Sequence, residues 1–293
     1  MNSPATRLRQ LLEKGDMIIM PCCHDALSAR LIERAGFPVT FMSGFTVSAT
    51  RLAMPDTGLI SFGEMVAQAR TISQAVSIPV LADGDTGYGN AMNIKRTVRE
   101  YAAAGLACVM LEDQVSPKRC GHTQGKQVVG FEEACLRIQA AVDAREEGAD
   151  ILIMARTDAR GVMGMNEALQ RMQAFAELGA DILFLEAPRS VEEMCQFCNH
   201  VSGFKMANLI EDGLTPLLPP EKLHAMGYHI AAYPLALLQA IITSMEAALT
   251  ALAAGQYPHG LQGFAHVKNS IGFPEYDKEE QRYHVVKMRE KVS

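Results

Sequence analysis

The sequence is poor in several features that would settle its class at once. Basic residues are not in excess: 27 Lys and Arg stand against 33 Asp and Glu, a formal charge of −6. Phosphate-backbone binding needs clustered cations, because counterion release drives it, so nucleic acid is excluded as a partner. Any anionic ligand must instead meet cations placed locally. An uninterrupted apolar run is missing too. The first fifteen residues carry Arg7, Arg9, Glu13 and Lys14, which leaves no hydrophobic stretch for a signal peptide. The longest apolar tract, 230–254, is broken by Gln239, Thr243, Ser244 and Glu246, and its Ala/Leu richness reads as a buried helix, so no membrane span is expected. A disulfide framework is also absent. The seven cysteines, Cys22, Cys23, Cys108, Cys120, Cys135, Cys195 and Cys198, are odd in number and scattered, which suits a reducing cytoplasm. Gly87-Tyr88-Gly89 lacks the third glycine of a dinucleotide fingerprint, so no NAD is expected.

What is present is enough apolar residue for a large core: 48% of 293 residues. A chain of this size buries roughly three quarters of its unfolded surface and needs no staple. Short apolar, β-branched runs recur at 17–22, 39–42, 79–82, 107–111, 151–155, 182–185, 205–209 and 229–233. Between them lie helical stretches such as 25–35, 61–75, 93–104, 131–147, 166–178 and 191–200, several ending in Gly at 36, 105 and 179. Eight β-then-α units predict a (β/α)8 TIM barrel over 1–256, with an open doubly wound sheet as the alternative. In such a barrel the strand C-termini carry the chemistry. Polar residues collect there: His24 and Asp25, Ser43 and Gly44, Asp83 and Asp85, Glu112 and Asp113, Arg156 to Asp158, Glu186, and Asn208 with Glu211 and Asp212. Carboxylates on successive strand ends repel one another unless a cation sits among them.

Two stretches carry chemistry. In Asp83-Gly84-Asp85-Thr86-Gly87, two carboxylates fall two residues apart, on one side of a strand. With Glu112 they form a hard-oxygen cluster suited to Mg2+, although the bare pattern also describes a β-turn. The second is Lys118-Arg119-Cys120-Gly121-His122-Thr123-Gln124-Gly125-Lys126, in a connection over 114–130 that is long for a βα loop. A thiol among these cations is expected to have a lowered pKa and to donate a proton near neutral pH. Such a loop reads as a lid carrying an acid over a metal. A basic surface loop with an incidental Cys is the plainer alternative.

Taken together with Leu111-Glu112-Asp113-Gln114, Ala155-Arg156-Thr157-Asp158-Ala159, Glu186-Ala187-Pro188, Ala207-Asn208-Leu209 and Tyr233-Pro234-Leu235, these motifs resemble the isocitrate lyase and phosphoenolpyruvate mutase superfamily, over 17–254. The Lys-Arg-Cys-Gly-His string is the specific part, and it resembles the lyase branch. The resemblance implies a Mg2+-dependent lyase, with Mn2+ able to substitute, that cleaves a 2-hydroxy-dicarboxylate to an α-keto acid such as pyruvate plus a carboxylate. By the same resemblance Asp83 would coordinate the metal while Asp56, Asp85 and Glu112 hold its water shell. Ser43, Gly44 and Phe45 would receive a substrate carboxylate, and Arg156 would bind its oxygens. Glu186 and Asn208 would contact the distal carboxylate. Cys120 would protonate the departing carbanion, with Lys118, Gly121 and His122 closing around it.

The continuation His122-Thr123-Gln124-Gly125-Lys126 and the Asp-Gly-Asp form look most like 2-alkylmalate lyases, with 2,3-dimethylmalate as an example substrate. The alternatives are a 2-methylisocitrate lyase, an oxaloacetate hydrolase or decarboxylase, a phosphonomutase, or a non-catalytic dicarboxylate-binding barrel. Phe41 stands where methylisocitrate lyases have a Tyr, which removes one candidate base, and Pro234 stands where oxaloacetate hydrolases tend to have Ser. Cys195 and Cys198 lie three apart in a helical run with no second pair and read as packing residues, while Cys22 and Cys23 end the first strand, one facing the barrel and the other the helices, with wall packing favoured over lining the site. So do many of the seventeen methionines. Residues 257–293, charged toward the end, have no place in a simple barrel. By the resemblance they form an extension for subunit association, with the last barrel helix swapped between subunits in a homotetramer built as a dimer of dimers.

Overall fold

The computed structural model describes residues 2–123 and 125–283. Eight parallel strands close into a barrel in strict sequence order, and every apolar run found in the sequence overlaps one of them. These are β1 (Ile18–Cys23), β2 (Thr40–Met42), β3 (Val80–Asp83), β4 (Cys108–Glu112), β5 (Leu152–Thr157), β6 (Ile182–Leu185), β7 (Phe204–Asn208) and β8 (Ile230–Tyr233). Closure is made by β1 and β8, with Ile18 opposite Ile230 and Pro21 opposite Tyr233. The helices are α1 (Pro4–Glu13), α2 (Ala26–Arg34), α3 (Gly44–Leu52), α4 (Phe62–Ala75), α5 (Ala91–Ala103), α6 (Phe131–Glu146), α7 (Ala159–Val162), α8 (Met165–Glu177), α9 (Val191–His200), α10 (Pro220–Met226), α11 (Ala236–Ala253), α12 (Phe264–Ile271) and α13 (Phe273–Gln281). Local signals start them: Asn90 caps α5 by accepting from Met92 N at 3.0 Å, and Ser61 with Glu64 makes a capping box on α4.

Alternation along the strands sorts two apolar clusters. Cys23, Val80, Ala82, Val109, Leu111, Ile153 and Leu183 face the helices. Met20, Cys22, Phe41, Leu81, Met110, Met154, Phe184, Met206 and Ala232 fill the barrel interior. The interior cluster also takes in Ala5, Leu8 and Leu12 from α1, so this helix plugs the N-terminal end of the barrel. Each fully buried leucine there contributes roughly 1.5–3 kcal/mol. Neither α1 nor α3 follows from the strand-helix rhythm, because α1 precedes it and α3 is an extra helix between β2 and α4.

The chain divides into two compact units, Met1–Ala240 and Ile241–Ser293, with the division inside α11. The first holds the barrel. The second holds the rest of α11, then α12 and α13, and the expected extension beyond residue 283 lies outside the described residues. The expectation that the apolar tract is a buried helix is corrected: of α11 only Leu238 is buried, and Ile242, Met245, Leu249 and Leu252 are exposed. By length and mean hydropathy of 1.5 its 18 residues would also pass for a membrane span.

Candidate active site

The positions that carry chemistry follow from the alternation that fills the barrel. One inward step beyond Phe41 is Ser43, beyond Leu81 is Asp83, beyond Met110 is Glu112, beyond Met154 is Arg156, beyond Phe184 is Glu186 and beyond Met206 is Asn208. The same pattern that packs the core therefore turns polar where the strands end, at the C-terminal mouth of the barrel. The cavity there encloses about 60 Å3 and is bordered by Ser43, Phe45, Asp56, Asp83, Arg156, Glu186 and Asn208 from the barrel and by Lys118 to His122 from the loop above. Its remaining wall is apolar, with Phe41, Phe184, Met206, Ile210, Pro234 and Leu235. Gly44, Asp85 and Glu112 do not border the open space but stand just behind it.

Asp83 is held from two sides, accepting from Gly44 N at 3.2 Å and from Asp85 N at 2.9 Å. A Cβ on Gly44 would come within 2.6 Å of Asp83 Oδ2, so only glycine allows this approach. The expected side-by-side placement of Asp83 and Asp85 on one strand is corrected. β3 ends at Asp83, and Asp85 reaches the site through a left-handed turn with φ 48°. Lys118 descends from the loop between the carboxylates. Its Nζ lies 2.6 Å from Asp56 Oδ1 and 2.9 Å from Asp85 Oδ1, and it donates its hydrogen bond to Asp56 Oδ2. Burial would discharge this ammonium, but Asp85, Asp83, Asp56 and Glu112 outweigh burial and hold its pKa well above the ordinary lysine range.

The donor set fits a divalent cation held largely through water. Among the described residues no three His, Cys, Asp or Glu converge closely enough to ligate an ion by themselves. Yet Glu112 Oε1 is buried without a hydrogen bond, and Asp56 Oδ1, Asp85 Oδ1 and Glu112 Oε2, though in ionic contact with Lys118 or Arg156, have no hydrogen bond of good geometry either. Burial, outweighing Arg156, pushes the Glu112 carboxyl well up, as expected of a carboxylate short of positive charge. Asp56, Asp83, Asp85, Glu112, Asp158 and Glu186 outnumber Lys118, Lys126 and Arg156 two to one. Mg2+ suits such a place, since it keeps several waters and needs one or two carboxylates.

On the other side of the cavity Arg156 is the hub. Its Nη1 lies 3.3 Å from Glu112 Oε2, its Nη2 lies 3.1 Å from Glu186 Oε2, and its guanidinium stacks over Phe184. Burial works against the Glu186 charge, but Arg156 and a hydrogen bond from His122 hold the carboxyl down at about 2. His122 Nδ1 accepts from Leu214 N at 3.0 Å, which leaves the proton on Nε2 to be donated to Glu186 Oε1 at 3.1 Å. Asn208 Nδ2 is 3.4 Å from each Glu186 oxygen.

The loop over 114–130 is closed down on this array. Gln114 pins it at one end, donating to Arg119 O at 2.8 Å and accepting from Arg119 N at 2.9 Å. At its tip a Cβ on Gly121 would collide with Glu186 and come within 2.5 Å of Arg156 Nη2. Cys120 faces the cavity as a free thiol. The expectation of a lowered thiol pKa is corrected. Burial, with Glu186 and Asp56 adding to it, raises the Cys120 pKa against the opposing pull of a backbone hydrogen bond and Arg156. Lys118 is spent on Asp56 and Asp85 and Lys126 on Asp158, while His122 donates to Glu186. Of the two cysteines ending β1, Cys22 faces the barrel and lines the cavity, the less favoured of the two expectations, while Cys23 packs outward.

Asp113 and Asp158 stand out in the sequence only as polar residues at strand ends, with no individual role, and Arg171 does not stand out at all. Asp158 lies two residues beyond Arg156, one more inward step, which is the signal for its place in the site. Arg171 lies far along the chain, on the buried face of α8, and only the fold brings it to Asp113 at 3.0 Å.

Residues 8–253 match the profile of the phosphoenolpyruvate phosphomutase family. A 2,3-dimethylmalate lyase of Eubacterium barkeri is 47% identical over 248 residues, 85% of this chain and 86% of that one. The crystal structure of a 2,3-dimethylmalate lyase, a member of the PEP mutase/isocitrate lyase superfamily, superposes with a TM-score of 0.92 at 34% identity, covering 100% of this chain and 99% of that one. An oxaloacetate acetylhydrolase in complex with 3,3-difluorooxalacetate superposes with a TM-score of 0.91 at 33% identity, covering 96% and 97%.

Proposed function

Because the chain belongs to the phosphoenolpyruvate phosphomutase family, within the PEP mutase/isocitrate lyase superfamily, we propose that it is a carbon–carbon lyase acting on a 2-alkylmalate-type dicarboxylate such as 2,3-dimethylmalate. The observation that carries this reading is a thiol on a closed lid, facing Arg156 and Glu186 across a cavity whose other wall is apolar. The ionic side suits carboxylates and the apolar side suits alkyl substituents. The 47% identity to a 2,3-dimethylmalate lyase favours that substrate class over the hydrolase reaction.

In the proposed reaction the C2 hydroxyl gives its proton to solvent, which reprotonates the Cys120 thiolate at the end of the cycle; the C2–C3 bond breaks, and C2 becomes the carbonyl of pyruvate or another α-keto acid. The electron pair passes to C3 and into the adjacent carboxylate, and C3 then takes a proton to leave as the saturated carboxylate. Arg156 binds and orients substrate oxygens, its own plane fixed by its carboxylate neighbours. Ser43 and Phe45, at the start of α3, offer a hydroxyl and a backbone N–H to a substrate carboxylate. The Ser43 side chain is not used as a helix cap, so it is available for this. Glu186, His122 and Asn208 form the distal wall, with Gly121 pressed against it. Cys120, protonated at neutral pH, is the proton donor to C3. Asp83, with Asp56, Asp85 and Glu112 through water, would hold Mg2+, which supplies Lewis-acid stabilisation of the developing oxygen charge when bound. Mn2+ has the same ligand preference.

The apolar residues of α11 and α12, Ile242, Met245, Leu249, Leu252 and Phe264, are exposed and offer a surface that association would cover. They support a helix-swapped homotetramer, with 257–293 serving association, and the free cysteines suit a cytoplasmic setting. Light scattering showing a stable monomer at micromolar concentration would refute the swap.

The test of function is incubation with Mg2+ and a panel of 2,3-dimethylmalate, other 2-alkylmalates, 2-methylisocitrate and oxaloacetate, with keto acid or oxalate followed directly. Pyruvate from an alkylmalate is the expected result. Oxalate from oxaloacetate alone would move the assignment to the hydrolase, and no turnover of any member would leave a dicarboxylate-binding barrel.

A further inference from the structure

The lid carries one cation with partners on both sides of the gap between loop and barrel. Lys126 has a side chain only 6% exposed, and its Nζ donates to Gly121 O within the loop and to Asp158 Oδ1 at 2.8 Å on the barrel. Asp158 is fully buried and also takes Arg156, with Nε to Oδ2 at 2.9 Å and Nη2 to Oδ1 at 3.2 Å. Burial opposes the Asp158 charge, yet Arg156 and Lys126 together hold its carboxyl below the usual range. One carboxylate thus receives the guanidinium meant for substrate and the ammonium that anchors the residue next to Cys120.

Asp158 is itself fixed from behind. Its backbone N donates to Asp113 Oδ1 at 2.9 Å, while Asp113 Oδ2 accepts from Thr157 Oγ1 at 2.6 Å and from Arg171 Nη1 at 3.0 Å. Arg171 is buried and is tied to Glu167 at 2.9 Å, so this backing is built from the ends of β4 and β5 and from α8 rather than from the lid side chains.

We propose that Lys126 and Asp158 form a latch that holds the lid closed over Arg156 and the cavity, both acting as positioning residues. Opening the lid withdraws an ammonium from a buried carboxylate, which is costly because charge is left under-compensated in a poorly solvated place. Closing restores that pair and in the same movement seats the Gly121 carbonyl, and with it Cys120 and His122. The role in turnover rests on the lyase reading above, but the latch itself is a property of the lid and is measurable without substrate.

The experiment compares wild type, K126Q and K126R by the rate at which iodoacetamide labels Cys120, resolved by peptide mass. Cys195, on the outer face of α9, and Cys108, inside the barrel, serve as internal references. K126Q is expected to label at Cys120 about tenfold faster, the loss of one hydrogen bond to a charged group, and K126R to return toward wild type. Removing a positive charge can only make the nearby thiol less ionised, so faster labelling reports exposure and not acidity. Cys195 and Cys108 should keep their wild-type rates, since a general loosening of the fold would speed them too. A Cys120 rate in K126Q within twofold of wild type overturns the latch. Failure of every substrate in the panel would overturn the lyase reading and leave this result standing.

Discussion

Cys120 shows how a residue can be in the expected place with a different chemistry. Cations nearby in sequence suggested an acidified thiol, but in space Lys118 and Lys126 are paired with carboxylates, burial dominates and the thiol holds its proton more firmly. For a donor this is useful, since the acid form is the one present at neutral pH. The sign follows directly: donation is available below the pKa and lost above it. The alkaline fall in kcat/KM assigned to this group should therefore lie above the ordinary thiol range of about 8.5. A pH-rate profile that falls below that value and moves in C120S would contradict it. C120A should lower kcat by roughly 10²- to 10⁴-fold, the usual worth of a general acid, with a smaller effect on substrate affinity. Gly121 is constrained by contact: G121A forces a methyl into Glu186 and Arg156, and a lid held off by about 1 Å should cost on the order of 10²-fold in kcat/KM. Wild-type rates in G121A would show that the lid closes differently during turnover.

At the scale of elements, much was legible because barrel strands write themselves as short apolar runs and each run ends where the polar residues begin. Ser43, Asp83, Glu112, Arg156, Glu186 and Asn208 could all be found in this way. What was not legible depends on contacts between distant segments. Nothing local in 4–13 says that α1 will plug a barrel floor; its Leu8 and Leu12 look like any amphipathic pair until the interior layer below them exists. The Asp113–Arg171 pair and the Lys126–Asp158 contact likewise join residues that only closure of the fold brings together. The plug makes its own prediction. L8A should destabilise the protein by roughly 2–5 kcal/mol in urea unfolding while leaving KM unchanged, because it acts at the end of the barrel opposite the site. A raised KM would mean that the floor and the mouth are coupled.

For the whole molecule, the dense charge array sets conditions on pH and metal. Glu186 is held at about 2 against roughly 4.3 for a free glutamate, so its contribution to stability is complete above the higher value and is lost as pH falls toward the lower one. The stability advantage of wild type over E186Q should shrink across that interval, measured as a difference in urea midpoints; a constant difference would refute the assignment. Chelation by EDTA should abolish turnover and Mg2+ restore it, with an accompanying drop in melting temperature as Asp56, Asp85 and Glu112 lose their compensating charge. Closure of the barrel has a consequence for how the chain comes to exist at all. Ile18 waits for Ile230, so every nascent or truncated chain that stops short of β8 carries two unpaired strand edges, open to pairing with other chains. For a growing polypeptide the hazard of aggregation does not fade gradually with length; it persists until the eighth strand emerges and then ends with the docking of one short segment.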